Sequence, residues 1–327
     1  MAYSNEVLTR ARQRLESEKA DKQSRYAASL EQAYAQVPRL RQIDMLLRQN
    51  MAKAVQSAFS QGGDPVQAIE AAKQENRALQ QERQALVSGS FPADFLDDTP
   101  YCPRCGGVGY VGKTMCVCLQ ELCRQEQLQE LKNLTCGQGR FEDFRLDYYP
   151  ERIDPKIGVS PRAVMEHNLR VCKRFAQQFG SSNLLFVGGT GLGKTFLSSC
   201  IATQVASRGH SVCYESAAHL FSNLEKSRFN PDETILQVCS RYESCELLII
   251  DDLGTELPGN FVTAALYNLV NDRLMANKPM VISTNLTIEE IARRYSAQIA
   301  SRLQGSFQGL TFVGEDIRVN KNRGVLV

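Results

Sequence analysis

An α/β fold with a mainly parallel sheet and helices on both faces is predicted for the second half of this 327-residue chain, preceded by an α-helical hairpin and a small zinc-knuckle region. Three observations carry that prediction. From residue 160 onward, short apolar runs alternate with helical patterns; a glycine-rich phosphate-binding pattern sits at one strand-to-helix turn; and residues 1–90 are rich in Gln, Ala, Glu and Arg with almost no β-branched clusters.

Length and composition bound what the chain can be. A chain of 327 residues accommodates two domains, one with a large core. With 38 basic and 36 acidic residues the formal net charge is +2, so no overall field announces a nucleic-acid or membrane partner, and any such contact is local. No apolar run approaches the ~18 residues of a membrane span, and residues 1–14 are too polar for a signal peptide, which predicts a cytoplasmic protein without a membrane partner. Eleven cysteines are then expected to be reduced, buried or metal-bound. Their spacing decides which.

Residues 1–98 read as a helical arm. From Pro38, Leu40, Ile43, Leu47, Met51, Val55 and Ala58 recur at three- and four-residue steps on one helical face. Gly62-Gly63 ends that helix, and Asp64-Pro65 opens another with Asp as N-cap and Pro at the first helical position, so two antiparallel helices are expected. The second carries Ala72, Leu79 and Leu86 at heptad spacing. Its alternate seam, Ile69, Asn76 and Arg83, has one apolar residue, which argues against a free coiled coil. Two readings stay open: a solvated hairpin packed on its own protein, or a docking arm for a partner.

Residues 99–136 contain Cys102, Cys105, Cys116 and Cys118 in the spacing C-x2-C-x10-C-x-C, with glycines in the loop between the pairs. Two close pairs can bring four thiolates around one tetrahedral Zn²⁺, and a small region with little apolar surface gains folding energy from such a site. Cys123 and Cys136 are near enough in sequence to replace one ligand, and a redox pair or unmetallated thiols are the alternatives. No histidine lies between residues 102 and 136, and sulfur fills all four positions, so the zinc is expected to be structural rather than catalytic.

A connector, 137–159, carries the aromatic run Phe141-Glu142-Asp143-Phe144-Arg145-Leu146-Asp147-Tyr148-Tyr149 and leads to the α/β domain, 160–327. Ser160-Pro161 starts a helix that ends at Gly180. Next comes a short strand, 183–187, and then Gly188-Gly189-Thr190-Gly191-Leu192-Gly193-Lys194-Thr195, which fits G-x-x-x-x-G-K-[ST] at every fixed position and is followed by a helix, 196–207. Glycines let successive N–H groups curl around phosphate oxygens at a helix N-terminus; Lys194 is expected to reach the β/γ-phosphates of ATP, and the Thr195 hydroxyl to ligate Mg²⁺. Strands are predicted at 211–214, 246–251 and 279–284, with helices at 217–226 and 260–276.

The run Leu247-Leu248-Ile249-Ile250-Asp251-Asp252 is the partner a phosphate loop requires. A buried strand ending in acid puts a carboxylate beside Mg²⁺ at the sheet's carboxyl edge, so Asp251 is expected to hold the ion or its water and Asp252 to orient or deprotonate the attacking water. Asn285, just after the strand Met280-Val281-Ile282-Ser283-Thr284, emerges at the same edge and can position that water. Arg293, Arg294 and Arg302 follow in a helical stretch, any of which could act on a neighbouring subunit's site.

Residues Gly188 to Thr195, the run 247–254, Ser283-Thr284-Asn285 and Ala300-Ser301-Arg302-Leu303 resemble, in that order, the AAA+ ATPases of the DnaC/DnaI helicase-loader and IstB transposition-helper group, over residues from about 140 to 327. The resemblance implies an AAA+ P-loop NTPase domain in which Asp252 replaces the more general glutamate, Arg302 is the trans-acting arginine finger, and Arg318 is a second sensor arginine that contacts the γ-phosphate from its own subunit. It also implies self-association through the ATP sites and a missing helical lid domain. The layout of the N-terminal half is similar to the DnaI-like primosomal loaders, where a helical and zinc-binding region grips a hexameric replicative DNA helicase. The cysteine-only site departs from a histidine-containing one described for some loaders. By the same analogy the helix at 217–229 lines a groove for single-stranded DNA, with Lys226 and Arg228 as phosphate contacts. The expected function is thus an ATP-dependent helicase loader. The alternatives are an IstB-like ATPase helper of DNA transposition and a regulatory protein that binds nucleotide without hydrolysing it, the last disfavoured by Asp252 and Asn285.

Overall fold

The structure, a computed structural model, describes residues 3–59, 65–134, 139–155 and 157–317. Gly62, Gly63, Asp64, Cys136 and Arg318 lie outside them, as do the side chains of Val55, Ala58, Ile69 and Ala72. Two compact units divide the chain: Gln13–Cys118, and Met1–Arg12 together with Leu119–Val327.

The first unit is built on three helices, α1 (Asn5–Gln36, from Gln13 on), α2 (Pro38–Phe59) and α3 (Pro65–Ser90). Pro38 brings no N–H, so the α1 ladder stops and a new helix starts at once. Side-chain partners join the start of α2 to the later part of α3 and a later part of α2 to an earlier part of α3: Arg39 with Glu82 and Asp44 with Arg83, then Asn50 with Asn76. The helices are therefore antiparallel. The polar positions Asn76 and Arg83 turn out to face α2, where each is paired. Asn76 is buried and its Oδ1 accepts from Asn50 Nδ2 at 3.0 Å, while Arg83 Nε donates to Asp44 Oδ1 at 2.7 Å. Where the helices approach α1, Ala33, Leu40 and Phe91 form a small core with Tyr34, Leu86 and Phe95 around it. The cysteine-bearing segment adds a two-stranded antiparallel hairpin, β1 (Tyr110–Val111) with β2 (Thr114–Met115).

The second unit begins with the rest of α4 (Val117–Leu134), then two 3₁₀ turns (Phe141–Asp143 and Leu146–Tyr148) and α5 (Pro161–Gln177), capped by Ser160 Oγ accepting from Ala163 N at 3.2 Å. There follow β3 (Leu184–Val187), α6 (Lys194–Ser207), β4 (Val212–Ser216), α7 (Ala217–Phe229), α8 (Glu233–Ser244), β5 (Leu247–Leu253), α9 (Asn260–Met275), β6 (Met280–Thr284), α10 (Ile288–Arg294), α11 (Ala297–Ser306) and β7 (Gln308–Thr311). The five strands stand in the order β4-β5-β6-β3-β7, and every neighbouring pair is parallel.

Strand periodicity divides the core in two. Leu184, Phe186, Val212, Tyr214, Leu247, Ile249 and Val281 pack with α5 and α6, whereas Leu185, Cys213, Leu248, Ile250, Met280 and Ile282 pack with helices α7 to α11. Both faces of the sheet are thus covered, as a parallel sheet requires. At the β4 edge, Gln127 of α4 is buried; its Oε1 accepts from Val212 N at 3.0 Å and its Nε2 donates to His210 O at 2.9 Å. Among the elements absent from the sequence expectations are β7 and α8. In β7 only Leu310 is buried, so Gln308-Gly309-Leu310-Thr311 offers no apolar run, and α8 buries only Tyr242. No described helix is long and apolar enough to cross a membrane.

Candidate functional site

Because β6 lies between β3 and β5, the turn after β3, the end of β5 and the end of β6 meet at one carboxyl edge of the sheet. The phosphate loop is tied to that edge by Gly188 N donating to Thr284 O at 3.2 Å. Gly191 and Gly193 have φ of +73° and +90°, where L side chains are strained, and Gly193 N-caps α6. A Cβ on Gly193 would meet the Tyr149 hydroxyl at 2.8 Å, and one on Gly191 would meet Asp316 Oδ1 at 1.9 Å. Two segments thus brace the loop: Tyr149 OH donates to Leu192 O at 2.9 Å, and Ile317 N donates to Gly191 O at 3.0 Å. Phe144 stacks on Tyr149 at 5.7 Å between ring centroids, so the aromatic connector is a wall of the loop.

Lys194, buried at the first position of α6, donates from Nζ to the carbonyls of Gly188 and Gly189, both at 2.7 Å. One turn later, Ser198 Oγ donates to the carbonyls of Lys194 and Thr195, each at 3.1 Å, and pairs with Tyr214 OH at 3.1 Å. Tyr214 in turn donates to Asp251 Oδ2 at 2.8 Å, and Ser283 Oγ donates to Asp251 Oδ1. Asp251, 6 % exposed, is thereby held by a hydroxyl on each side and linked to the turn that carries Thr195. Burial, and the Asp251 charge beside it, push the Tyr214 phenol well above its ordinary range, so it stays a donor.

Asp252 differs sharply from its neighbour. Its side chain is exposed, its φ is +56°, and the β5–β6 register shifts between Ile250 and Leu253. A left-handed non-glycine costs about 1–2 kcal/mol and persists only where its surroundings fix it. Here Asp252 N donates to Ser283 Oγ at 2.9 Å, and Asp252 O accepts from Thr255 N at 3.3 Å and Thr255 Oγ1 at 2.9 Å. The bulge turns two consecutive aspartates to opposite tasks: one buried against the sheet, the other presented at its rim. Asn285 is exposed at the end of β6, and a Cβ on Gly254 would meet its Oδ1 at 3.4 Å, so Asn285 stands against the acidic turn.

The arginines part company. Arg302 Nη2 donates to Tyr267 OH of α9 at 2.8 Å, and its guanidinium carbon lies 4.8 Å from that ring's centroid. Arg294 pairs with Glu256, whereas Arg293 is exposed on α10, its Nε 3.4 Å from Glu289 O. On α7, Lys226 and Arg228 are exposed, and the Arg228 guanidinium lies 5.4 and 5.7 Å from the ring centroids of Phe229 and Phe261.

In the first unit the sulfurs of Cys102, Cys105, Cys116 and Cys118 all lie within 4.8 Å of one another, with Cys102–Cys116 at 3.8 Å and Cys105–Cys118 at 3.5 Å. Tetrahedral zinc with Zn–S of about 2.3 Å requires sulfur separations of roughly 3.8 Å, so the four thiols fit the ion. Gly109 N donates to Cys105 Sγ at 3.3 Å. Burial pushes the Cys105 thiol up, but the N–H groups of Gly109 and Gly107 and the neighbouring thiols outweigh it and bring it down to about 6. Cys123 stands outside the cluster; burial raises its thiol to about 11.

Sequence reasoning missed the roles of Tyr149, Tyr214, Glu256, Ser283 and Asp316. Ser283 carried the one usable signal: a hydroxyl in the middle of an apolar strand must find a buried partner.

Residues 155–302 match the family model of IstB-like ATP binding proteins. The chain is 22% identical over 138 residues to the replicative helicase loader DnaC of Escherichia coli (strain K12), a match covering 42% of this chain and 56% of that protein, so it spans about half the length of that relative. It is 29% identical over 137 residues to the chromosomal replication initiator protein DnaA of Wolinella succinogenes, covering 42% of this chain and 30% of that one. Among solved structures it is similar to the DnaC helicase loader (TM-score 0.45, 17% identity, 54% of this chain and 97% of that one) and to DnaI (TM-score 0.42, 22% identity, 46% and 85%). Residues 155–302, which hold four of the five strands of the parallel sheet, are thus similar to the IstB-like ATP binding proteins.

Proposed function

We propose that this chain binds and hydrolyses ATP at subunit interfaces and uses ATP-driven assembly on single-stranded DNA to load a replicative DNA helicase. The observation that carries the reading is the meeting, at one sheet edge, of the phosphate loop, the buried Asp251, the left-handed Asp252 and Asn285, in a domain similar to proteins named replicative helicase loaders.

Lys194 exchanges the loop carbonyls for the β/γ-phosphates of ATP when these enter the glycine cradle, and the N–H groups of Gly188, Gly189, Thr190, Gly191, Leu192 and Gly193 close around them. Thr195 and Asp251 are the residues that would hold Mg²⁺, which supplies charge neutralisation of the phosphates. Asp252, presented at the rim, orients the attacking water and accepts its proton, with Asn285 fixing the water's position. Arg302, released from Tyr267, reaches the site of the next subunit and stabilises the transferring phosphoryl group. Arg318 lies outside the described residues, and its sensor role rests on the resemblance alone. Lys226, Arg228 and the exposed Phe229 offer charge and an aromatic face to a single strand.

The four-cysteine unit, with structural zinc, is assigned the helicase. A second reading, an ATPase helper of transposition, is favoured by the family model's description. Capture assays separate them. The full chain is offered a replicative helicase and a transposase beside a chain beginning at Leu119, which keeps α4 because Leu131 belongs to the core of the ATPase unit. Helicase held by the full chain and lost from the shortened one supports loading; transposase capture without helicase capture replaces it with the second reading.

A further inference from the structure

Glu256 is 5 % exposed, in the loop between β5 and α9, and three groups converge on its carboxylate. Gly254 N donates to Oε2 at 2.9 Å, Tyr295 OH donates to Oε1, and Arg294 Nε forms an ion pair with Oε1 at 3.5 Å. The backbone takes part as well: Arg294 Nη2 donates to Glu256 O at 2.5 Å. A carboxylate buried this far is costly unless charge and hydrogen bonds compensate it, and here both come from the end of α10.

What the carboxylate holds is the acidic turn. Asp252 has φ +56° and Gly254 φ +108°, and a Cβ at Gly254 would meet Leu286 Cδ1 at 2.8 Å. The turn is pinned from the sheet side by Ser283 Oγ on Asp252 N and by Thr284 Oγ1 donating to Leu253 O at 2.7 Å. Glu256 pins it from the other side, through Gly254 N. Its second partner, Tyr295, stands between α10 and α11, and α11 carries Arg302.

The geometry points to Glu256 as a positioning residue for hydrolysis, fixing the turn that presents Asp252 and tying it to the end of α10. This inference rests on the ATPase reading above. The Glu256 contacts are made to Gly254, Arg294 and Tyr295 and none to the phosphate loop, so losing them is expected to affect turnover and spare affinity.

The test measures steady-state ATP hydrolysis by the full chain together with equilibrium binding of a fluorescent ATP analogue and a thermal melt. Glu256→Ala is expected to lower kcat by about tenfold or more, as an ångström-scale misplacement does, with KM and analogue affinity changed less than about threefold. Glu256→Gln keeps an acceptor for Gly254 N and is expected to recover most of the lost kcat. Tyr295→Phe removes a single hydroxyl and is expected to lower kcat by about two- to fivefold even if Glu256→Ala fails to fold. If Tyr295→Phe and Glu256→Ala keep wild-type kcat, or if kcat and affinity fall together in all three variants, the positioning role is overturned. Lys194→Ala separates this failure from a deeper one: a wild-type rate no greater than that of Lys194→Ala overturns the ATPase reading and the positioning role with it.

Discussion

Tyr214 of β4 and Asp251 of β5 are joined across neighbouring strands by a 2.8 Å hydrogen bond from the phenol to Oδ2, while Ser283 of β6 donates to Oδ1 from the opposite side. Tyr214→Phe leaves the buried carboxylate short of one donor. Chemical denaturation is expected to show a loss of about 1–3 kcal/mol, and a variant as stable as wild type would deny the bond any structural weight.

Alkaline pH tests the same feature more broadly. The phenols of Tyr149, Tyr214, Tyr242 and Tyr295 are all raised above the ordinary value of 10.0, in each case first by burial, and for Tyr214 and Tyr295 also by the carboxylates of Asp251 and Glu256. A raised folded-state pKa means that the unfolded chain loses these protons first. Their contribution to stability is therefore complete below pH 10.0 and declines as pH rises toward the folded values. Urea midpoints measured across that range should fall as pH increases, and midpoints that stay level would contradict the burial of these hydroxyls.

At the phosphate loop, Lys194→Ala removes the ammonium now held by the Gly188 and Gly189 carbonyls. ATP hydrolysis is expected to drop by roughly 100-fold or more, with weaker nucleotide binding, since the lysine neutralises phosphate charge in a preorganised site. Unchanged binding and turnover would refute the assignment.

Asp252 and Arg302 call for opposite designs. Asp252→Asn keeps a residue that tolerates the left-handed backbone but cannot take a proton, so nucleotide binding should persist while turnover falls by about 10²-fold or more. For Arg302, mixing Arg302→Ala subunits with Lys194→Ala subunits should restore part of the activity at shared interfaces. Failure to do so with assembly intact argues against action in trans.

Metal analysis of the purified protein under reducing, chelator-free conditions should give about one equivalent of zinc, and less than about half would count against the cysteine site. Cys105→Ser should lower zinc content and loosen the unit Gln13–Cys118, read as lost hydrogen-exchange protection there with the second unit unaffected.

The parts of the fold that were legible in the sequence share a cause. Apolar runs such as 247–250 and a loop whose glycines follow a strand declare themselves because burial and backbone freedom act locally. Asp251 could be assigned a role from its position after four apolar residues. Its support could not, because Tyr214 and Ser283 reach it from two other strands, with Ser198 of α6 behind Tyr214, and none is unusual in its own segment. Similarly, β7 buries one residue and left no periodic trace, and Asn76 and Arg83 looked like interruptions of a seam until their partners on α2 were known. The left-handed backbone of Asp252 is set by hydrogen bonds from β6 and the following turn, which no local pattern encodes.

The Gln127 amide on β4 has a consequence for how this molecule can associate. Its carboxamide occupies, at His210 and Val212, the donor and acceptor that an incoming strand would use. One margin of the sheet is thus closed to growth by backbone pairing, so recruitment of an extended peptide, or edge-to-edge aggregation, is blocked there by a single side chain. An association through that margin has to be made by side-chain surfaces, without extending the sheet.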